Sequence, residues 1–292
     1  MVKYTGKIFL CALSSVIGTL IGGVFSTVLH LEQPRLPGPV NTQLLALLCL
    51  AGGFVLSMAL ATLSPRLQGN RRSRFAVIAW FVFAWLGINN TIEAGIFTTM
   101  GGSPTVITTM LFQSLFVAGA VVLMFSHQRP GKSSPEVIRR FFASRTAAQW
   151  AVRLASAVAA FPLIYFLFGM PVGLMVGKSY QSQSFNLQMP TLNVVIGVQS
   201  LRSLTALAAV LPMLALWTGS RQRFAWTFGL SLFLVAGLYG LIQAYWMPWT
   251  LRSIHTVELF LDSMVYGWLV AMWLLPRPSA MAGEMGARNN RI

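Results

Sequence analysis

Apolar residues dominate the chain in eight long runs that are separated by mostly short polar connections. Each run holds about 20 residues, the length that an α-helix needs to cross the hydrocarbon core of a bilayer. The eight predicted spans cover residues 8–30, 43–63, 75–99, 105–126, 154–176, 194–218, 226–247 and 253–275. The predicted fold class is therefore all-α, a polytopic integral membrane helical bundle with about eight transmembrane helices.

Three segments carry a finer pattern. Small residues recur every fourth position in the first span, at Ser14, Gly18, Gly22 and Ser26, a spacing that favours close packing against another helix. Residues 134–145 place apolar side chains on one face and arginines beside it, which fits either an amphipathic helix on the membrane surface or an ordinary basic connection. The last span carries a polar stripe.

That stripe is formed by His255, Glu258, Asp262 and Tyr266. At about 100° per residue these four positions fall within roughly 80° of one another on a helix. The opposite side of the same helix is apolar. The last span therefore presents one polar face to something other than lipid.

Composition agrees with a membrane protein and excludes a soluble one. Hydrophobic residues make up 55% of the 292 positions, and charged residues only 9%. The net charge of +15 would suggest nucleic acid in a soluble protein. In this chain the basic residues collect in alternate connections, as the positive-inside rule requires, so we expect no nucleic-acid partner.

Loop charge also predicts the orientation. Most of the 21 Lys and Arg residues lie on one side if both termini are cytoplasmic, and the other side holds only Arg35, Lys178 and Arg252. We expect residues 1–276 to form a single transmembrane domain and residues 277–292 a short basic cytoplasmic tail. The compact loops favour a bacterial cytoplasmic (inner) membrane.

Acids are rare, and their positions are informative. The chain has six, and three of them, Glu93, Glu258 and Asp262, lie inside predicted spans. Each charged residue near the centre of a spanning helix costs on the order of 3 kcal/mol on insertion. Asn89 and Arg202 lie at similar depths, and His255 lies nearer the surface on the last span. We therefore predict one outward-facing polar cluster of these six residues between spans three, six and eight.

The charges in this cluster do not balance. Three carboxyls face one deeply placed arginine, and three ionised acids cannot share so dry a site. The site therefore holds a proton or a cation, with Asp262, the deepest acid, as the main candidate. The six cluster residues are candidates for binding substrate or protons. The alternative is that they only join helices through hydrogen bonds.

Known catalytic and cofactor motifs give little support to other chemistry. His255, Glu258 and Asp262 supply nitrogen and oxygen ligands, but only as weak candidates for a metal site, because a catalytic zinc site generally has two or more histidines. The chain has no Walker motif, no CxxC and no convincing serine–histidine–acid arrangement. The sequence names no cofactor.

Three classes of function remain open. The first is a proton- or cation-coupled transporter of a small polar or cationic solute, working in the lipid bilayer. The second is an intramembrane enzyme, with or without a metal, that acts on a membrane substrate. The third is a non-catalytic membrane partner or sensor subunit. The oligomeric state is not indicated by the sequence.

A short internal echo bears on duplication. Thr91-Ile-Glu93 resembles Thr256-Val-Glu258, but these triplets lie in spans three and eight. A duplication of four spans would match span three with span seven. We therefore interpret the echo as chance.

Overall fold

The computed structural model describes residues 2–34, 41–98, 102–125, 134–181 and 186–276. Within these ranges eight helices are long and apolar enough to cross a membrane. The predicted all-α, eight-span fold is confirmed, whereas the orientation of the termini stays a prediction. The predicted basic tail, residues 277–292, lies outside the described residues.

The first half of the chain contains four spans. They are α1 (Val2–Val28), α2 (Thr42–Leu63), α3 with α4 (Arg71–Val82 and Asn90–Phe97) and α5 (Pro104–Phe125). A 3₁₀ turn, Ser64–Arg66, follows α2, and a π-helical segment, Phe83–Asn89, joins α3 to α4. Asn41 and Asn70 cap α2 and α3, because their side chains accept hydrogen bonds from N–H groups of the first turn.

The second half repeats this order. After a short helix, α6 (Ser134–Ala143), come α7 (Ala147–Gln181), α8 (Leu192–Leu216), α9 with α10 (Arg221–Leu232 and Tyr239–Gln243) and α11 (Trp249–Leu274). A second π-helical segment, Phe233–Leu238, joins α9 to α10. Ser220 caps α9 as Asn70 caps α3.

One predicted boundary is wrong. The fifth span was expected over residues 154–176, but α7 has 35 residues and continues to Gln181. At 1.5 Å per residue it is about 50 Å long, well beyond a hydrocarbon core of about 30 Å. The added turns are more polar, and a hydropathy pattern marks only the apolar part of a helix.

The segment after residue 133 is an amphipathic helix. Val137 and Phe141 of α6 are buried, while Arg139 and Arg140 are exposed. The buried face packs against α8 rather than projecting into lipid. The segment is therefore a helix with an apolar face that the protein itself covers, and its position on the membrane surface stays a prediction.

The two halves are structural repeats offset by 150 residues. The π-helical segments begin at Phe83 and Phe233, and the capping residues that precede them are Asn70 and Ser220. Leu67 and Trp217 form an antiparallel bridge with one another. The four spans of each half run in the same order, so spans three and seven are equivalent, and Thr91-Ile-Glu93 is not the equivalent of Thr256-Val-Glu258.

Backbone hydrogen bonds at the bridge show a local two-fold relation. The N–H of Gln68 donates to the carbonyl of Leu216 at 2.8 Å, and the N–H of Thr218 donates to the carbonyl of Arg66 at 2.9 Å. Each bond becomes the other when 150 is added to one residue number and subtracted from the other. The two connections that follow α2 and α8 therefore meet at the two-fold axis.

Each half completes the other. The second span of the first half, α2, packs against α9, the second π-helical segment and α10. Its equivalent, α8, packs against α3, the first π-helical segment and α4. Arg202 on α8 is thereby placed against α4, although the two helices are far apart in the sequence.

Two glycines let α1 pack tightly on α5. A Cβ atom at Gly18 would lie 2.7 Å from Cα of Gln113, and one at Gly22 would lie 2.6 Å from Cα of Thr109. The small-residue spacing of the first span therefore serves a close helix contact.

We call one end of the bundle the basic end. It is formed by the start of α1, the α2–α3 and α8–α9 connections, α6 and the end of α11.

Candidate functional site

Arg202 is the central charge of the site. It lies in the middle of α8, and only 6% of its side chain is exposed. Its Nη1 and Nη2 donate to Oε1 and Oε2 of Glu93 at 2.7 and 2.8 Å, a bidentate pair. The guanidinium also lies 5.6 Å from the ring centre of Phe161 on α7. Three helices, α4, α7 and α8, therefore meet around one arginine.

Two amides complete the binding of this arginine. Nε donates to Oδ1 of Asn89 at 2.5 Å, and Nη1 donates to Oε1 of Gln199 at 3.0 Å. In return, Nδ2 of Asn89 donates to the backbone carbonyl of Arg202 at 3.1 Å. Four of the five guanidinium N–H donors are thus used within the described residues, as a buried cation requires.

The π-helical segments explain why these amides reach their partners. In the first segment the N–H of Asn90 bonds five residues back, to Trp85, so the helix gains an extra residue per turn there. Asn89 is the last residue of this segment and Asn90 the next, so their side chains point to adjacent faces of the helix. Asn89 meets Arg202, and Nδ2 of Asn90 donates to the carbonyl of Ala236 in the second segment at 3.0 Å.

Beside the Arg202–Glu93 pair is an internal cavity of about 50 Å³. Glu93, Arg202 and Asp262 line it together with aromatic side chains from three helices, namely Trp85, Phe161, Tyr165 and Tyr266. This volume holds a few water molecules or one small cation. Oδ1 of Asp262 is buried and has no hydrogen-bond partner among the described residues. Asp262 therefore lines a cavity beside the Arg202–Glu93 pair with one carboxyl oxygen that the described residues do not satisfy.

His255 and Glu258 form a second group, nearer the start of α11. Nδ1 of His255 lies 2.7 Å from Oε2 of Glu258, and Nε2 lies 3.1 Å from the hydroxyl of Tyr180 on α7. Glu258 is buried against α7, where a Cβ atom on Gly169 would lie 3.1 Å from its Oε1. Tyr180, His255 and Glu258 thus form a hydrogen-bonded chain between α7 and α11.

The six candidate residues consequently divide into two groups. Asn89, Glu93, Arg202 and Asp262 surround the cavity or hold its arginine, whereas His255 and Glu258 lie in the adjacent chain and do not line the cavity. Asp262 is near enough to Glu258, Glu93 and Arg202 to interact with all three electrostatically. The binding role predicted for the six residues stays a prediction, and Glu258 and His255 are not among the residues that line this cavity.

The metal candidates do not assemble into a site. In the described part of the chain, no three His, Cys, Asp or Glu side chains are grouped so that they could hold a metal ion. His255 and Glu258 bind each other, and Asp262 faces the cavity instead. The weak signal for a metal at His255, Glu258 and Asp262 is therefore not supported by their positions.

Sequence reasoning missed the contribution of α7. Phe161 and Tyr165 line the cavity, and Tyr180 binds His255. Aromatic residues are common in membrane helices both in lipid and at interfaces, so their presence alone indicates no site. The two prolines inside α7, Pro162 and Pro171, are the signal that could have drawn attention to this helix.

A neutral version of the same site lies at the position that the repeat relates to it, again between the two halves. The equivalents of Arg202, Asn89 and Glu93 are Gly52, Tyr239 and Gln243, each 150 positions away. A Cβ atom on Gly52 would lie 2.9 Å from Nε2 of Gln243 and 3.1 Å from Cε2 of Tyr239, so the positions meet as Arg202 meets Glu93 and Asn89.

Gln113 closes this neutral site. Its Nε2 donates to the hydroxyls of Tyr239 and Ser15 at 2.7 and 2.8 Å, and the hydroxyl of Tyr239 lies 3.0 Å from its Oε1. Of the two sites related by the repeat, one therefore holds the charged pair of Arg202 and Glu93, and the other is neutral.

Comparison with known proteins found no matching family model, no similar curated protein and no similar solved structure. The chemistry of the cavity and of the residues around it is therefore the basis for any assignment of function.

Proposed function

We propose that the protein is a transporter of a small polar or cationic solute, coupled to a proton or a monovalent cation that binds at Asp262. The observation that carries this proposal is the buried Oδ1 of Asp262, which has no hydrogen-bond partner among the described residues and belongs to a side chain that lines a cavity of about 50 Å³. A buried carboxylate without a partner is costly, and a proton or a cation removes that cost. Intramembrane acids of this kind commonly serve as coupling sites.

The arrangement of charges assigns different roles to the three acids. Glu93 neutralises Arg202 through two hydrogen bonds, so this pair forms a fixed wall of the cavity. Glu258 is bound to His255. Asp262 is the remaining acid, and its occupancy changes the net charge of the site. The Tyr180–His255–Glu258 chain leads towards the end of the bundle at which α11 begins, and provides a route for protons to that side.

The helices around the cavity are suited to movement. Trp85 belongs to the first π-helical segment, Ala236 and Gly237 belong to the second, and Phe161 precedes a proline in α7. Irregular backbone at membrane depth is tolerated where it lines a cavity, and broken helices at a repeat interface are typical of secondary transporters. Small rotations at these three points would open the cavity to either side.

The test is flux in proteoliposomes that contain a pH-sensitive dye. Sets of amines, amino acids and sugars are added outside, with and without a sodium gradient, and solute-dependent movement of protons or sodium is followed. Wild-type protein should show such movement for at least one set, and Asp262→Asn should lose it. Glu136→Gln, which neutralises a surface acid on α6, is the control and should retain it. Coupled flux that survives Asp262→Asn, or a wild type that moves none of these solutes, would refute the proposal.

We also propose the finer topology that the charges favour. Both termini and the basic end face the cytoplasm of a bacterial inner membrane, because the loops at that end hold most of the Lys and Arg residues. Residues 1–276 act as one domain, a proposal supported by the packing of α2 and α8 against the opposite halves.

A further inference from the structure

A second and much larger cavity lies at the basic end, away from Asp262. Its volume is about 760 Å³, and its walls come from the start of α1, the end of α2 with its 3₁₀ turn, the end of α5, and Thr227 of α9. Pockets of roughly 300–1,000 Å³ are the size that accommodates small ligands. Nothing in the proposed transport mechanism uses this cavity.

The lining combines positive charge with an apolar floor. Lys3, Lys7 and Arg66 line the cavity, and no acid is among the lining residues that the structure describes. Nζ of Lys7 donates to the carbonyl of Met124 at 3.0 Å and lies 5.8 Å from the ring centre of Phe125. Tyr4 packs edge-on against the same ring. Three cations therefore surround an aromatic surface without a carboxylate to neutralise them.

The equivalent corner of the second half is filled by the protein. Arg153, which is 150 positions after Lys3, donates to the carbonyl of Trp273 at 2.6 Å, as Lys7 does to that of Met124. Arg145 donates to the carbonyl of Leu274 at 2.7 Å and stacks on Trp150 at 4.7 Å. The connection between α6 and α7 thus occupies this corner, and the first-half corner is open by comparison.

The filled corner also shows that placing several cations close together at this position is unfavourable. Burial, together with the nearby positive charges of Arg153 and Arg221, lowers the pKa of Arg145 to about 10. There the carbonyls at the end of α11 compensate the arginines, including Arg221, which binds the carbonyl of Leu275. In the open corner a ligand with negative charge would provide the compensation.

We propose that the open cavity binds the headgroup of an anionic phospholipid, with its phosphate between Lys3, Lys7 and Arg66 and the start of an acyl chain along Phe125 and Ala61. Basic pockets between membrane helices on the cytoplasmic side are suited to such headgroups. A zwitterionic lipid brings no net charge to offset three cations. The chain's own residues 277–292 carry three arginines and one acid, so they too bring net positive charge and would not offset these cations.

The experiment is titration of purified full-length protein in mixed micelles, with phosphatidylglycerol against phosphatidylcholine, followed by thermal stability and native mass spectrometry. Phosphatidylglycerol should stabilise and stay bound to the wild type. Joint Lys3→Gln, Lys7→Gln and Arg66→Gln should weaken its binding at least tenfold, since each basic side chain contributes to attraction of an anionic headgroup. A matched triple at exposed positions of the same end, Arg72→Gln, Arg139→Gln and Arg140→Gln, should weaken it less than threefold.

A second variant distinguishes loss of lipid binding from a folding defect in the triple variant. Thr227→Phe narrows the cavity without changing charge, and should also weaken phosphatidylglycerol binding several-fold. Equal losses in the two triples would show a general surface effect and refute the site. Equal binding of phosphatidylcholine, or equal stabilisation by inorganic phosphate without lipid, would refute an anionic lipid as the ligand. Full binding by Thr227→Phe would place the lipid elsewhere.

Discussion

Arg202 is the residue on which the buried charges depend most, because four of its N–H groups hold Glu93, Asn89 and Gln199. Arg202→Ala leaves Glu93 without its partner. Breaking a buried ion pair in this way costs on the order of 3–5 kcal/mol. We therefore expect a large fall in thermal stability in detergent. A loss no greater than that of Glu136→Gln would show that the pair does not hold the fold.

Asp262→Asn should behave in the opposite way. Oδ1 of Asp262 makes no hydrogen bond within the described residues, and asparagine has nearly the same volume. The free energy of unfolding should therefore change by less than about 1 kcal/mol, as for substitutions that break no interaction, while any coupled flux is lost. The same thermal measurements beside Arg202→Ala are sufficient. If Asp262→Asn is the less stable of the two, the carboxylate is a paired structural group and not a coupling site.

The site residues that could be predicted from the sequence are those whose charge is costly to place in a membrane span. Glu93, Arg202, Glu258 and Asp262 stand out because charge in an apolar span is expensive. Their grouping could not be predicted in full, since Glu258 turns towards α7 and His255, while Asp262 faces the cavity. Tyr180 and Phe161 are uncharged aromatic residues of a kind common in membrane helices, so nothing in their position marked them as site residues.

At the scale of helices, the α1–α5 contact offers a test with neighbouring residues. A Cβ atom on Gly22 would lie 2.6 Å from backbone of α5, whereas one on Gly23 meets nothing within 4 Å. Gly22→Ala should destabilise by roughly 1–3 kcal/mol through overpacking. Gly23→Ala should be neutral or should stabilise by up to about 1 kcal/mol, because alanine is the better helix former. Similar stabilities of the two variants would mean that α1 is not held at this distance.

Pro212 in α8 leads to a second test. Proline has no N–H, so the carbonyl four residues earlier, on Ala208, loses its helical donor. Nε1 of Trp80 on α3 donates to that carbonyl at 2.9 Å. Trp80→Phe should therefore cost about 1 kcal/mol. The cost should shrink in a Pro212→Ala background, where the helix supplies the missing donor, and a double-mutant cycle measures the difference. An unchanged cost would assign it to packing of the indole instead.

Helices were predicted well because their apolar length is fixed by the bilayer, and the π-helical segments were not predicted. Phe83–Asn89 and Phe233–Leu238 are as apolar as ordinary helix, and the extra residue in each turn leaves no mark in composition. The repeat was also hidden. The equivalent positions pair Arg202 with Gly52 and Glu93 with Gln243, so the two halves differ most in residue type at the charged site, where the sequence is most noticeable.

At the scale of the whole molecule, the shared direction of the two halves predicts which residues lie on one side of the membrane. Single cysteines at Thr191 and Gln222, in a background with Cys11 and Cys49 replaced by alanine, should react with impermeant reagents from opposite sides, Gln222 from the cytoplasm. A cysteine at Asn41, the equivalent of Thr191, should react as Thr191 does. Reaction of Asn41 and Thr191 from opposite sides would contradict a parallel repeat.

The exchange of α2 and α8 between the halves has a consequence for biosynthesis. Glu93 and Arg202 are 109 residues apart, so α5, α6, α7 and half of α8 are still to be made when Glu93 is added to the nascent chain. At about 5–20 residues per second this interval lasts about 5–20 s. During that time the nascent first half holds an acid, an amide and an empty groove for α8 that nothing yet occupies. The insertion machinery must therefore shield these polar groups from lipid until α8 has been synthesised and packs against them.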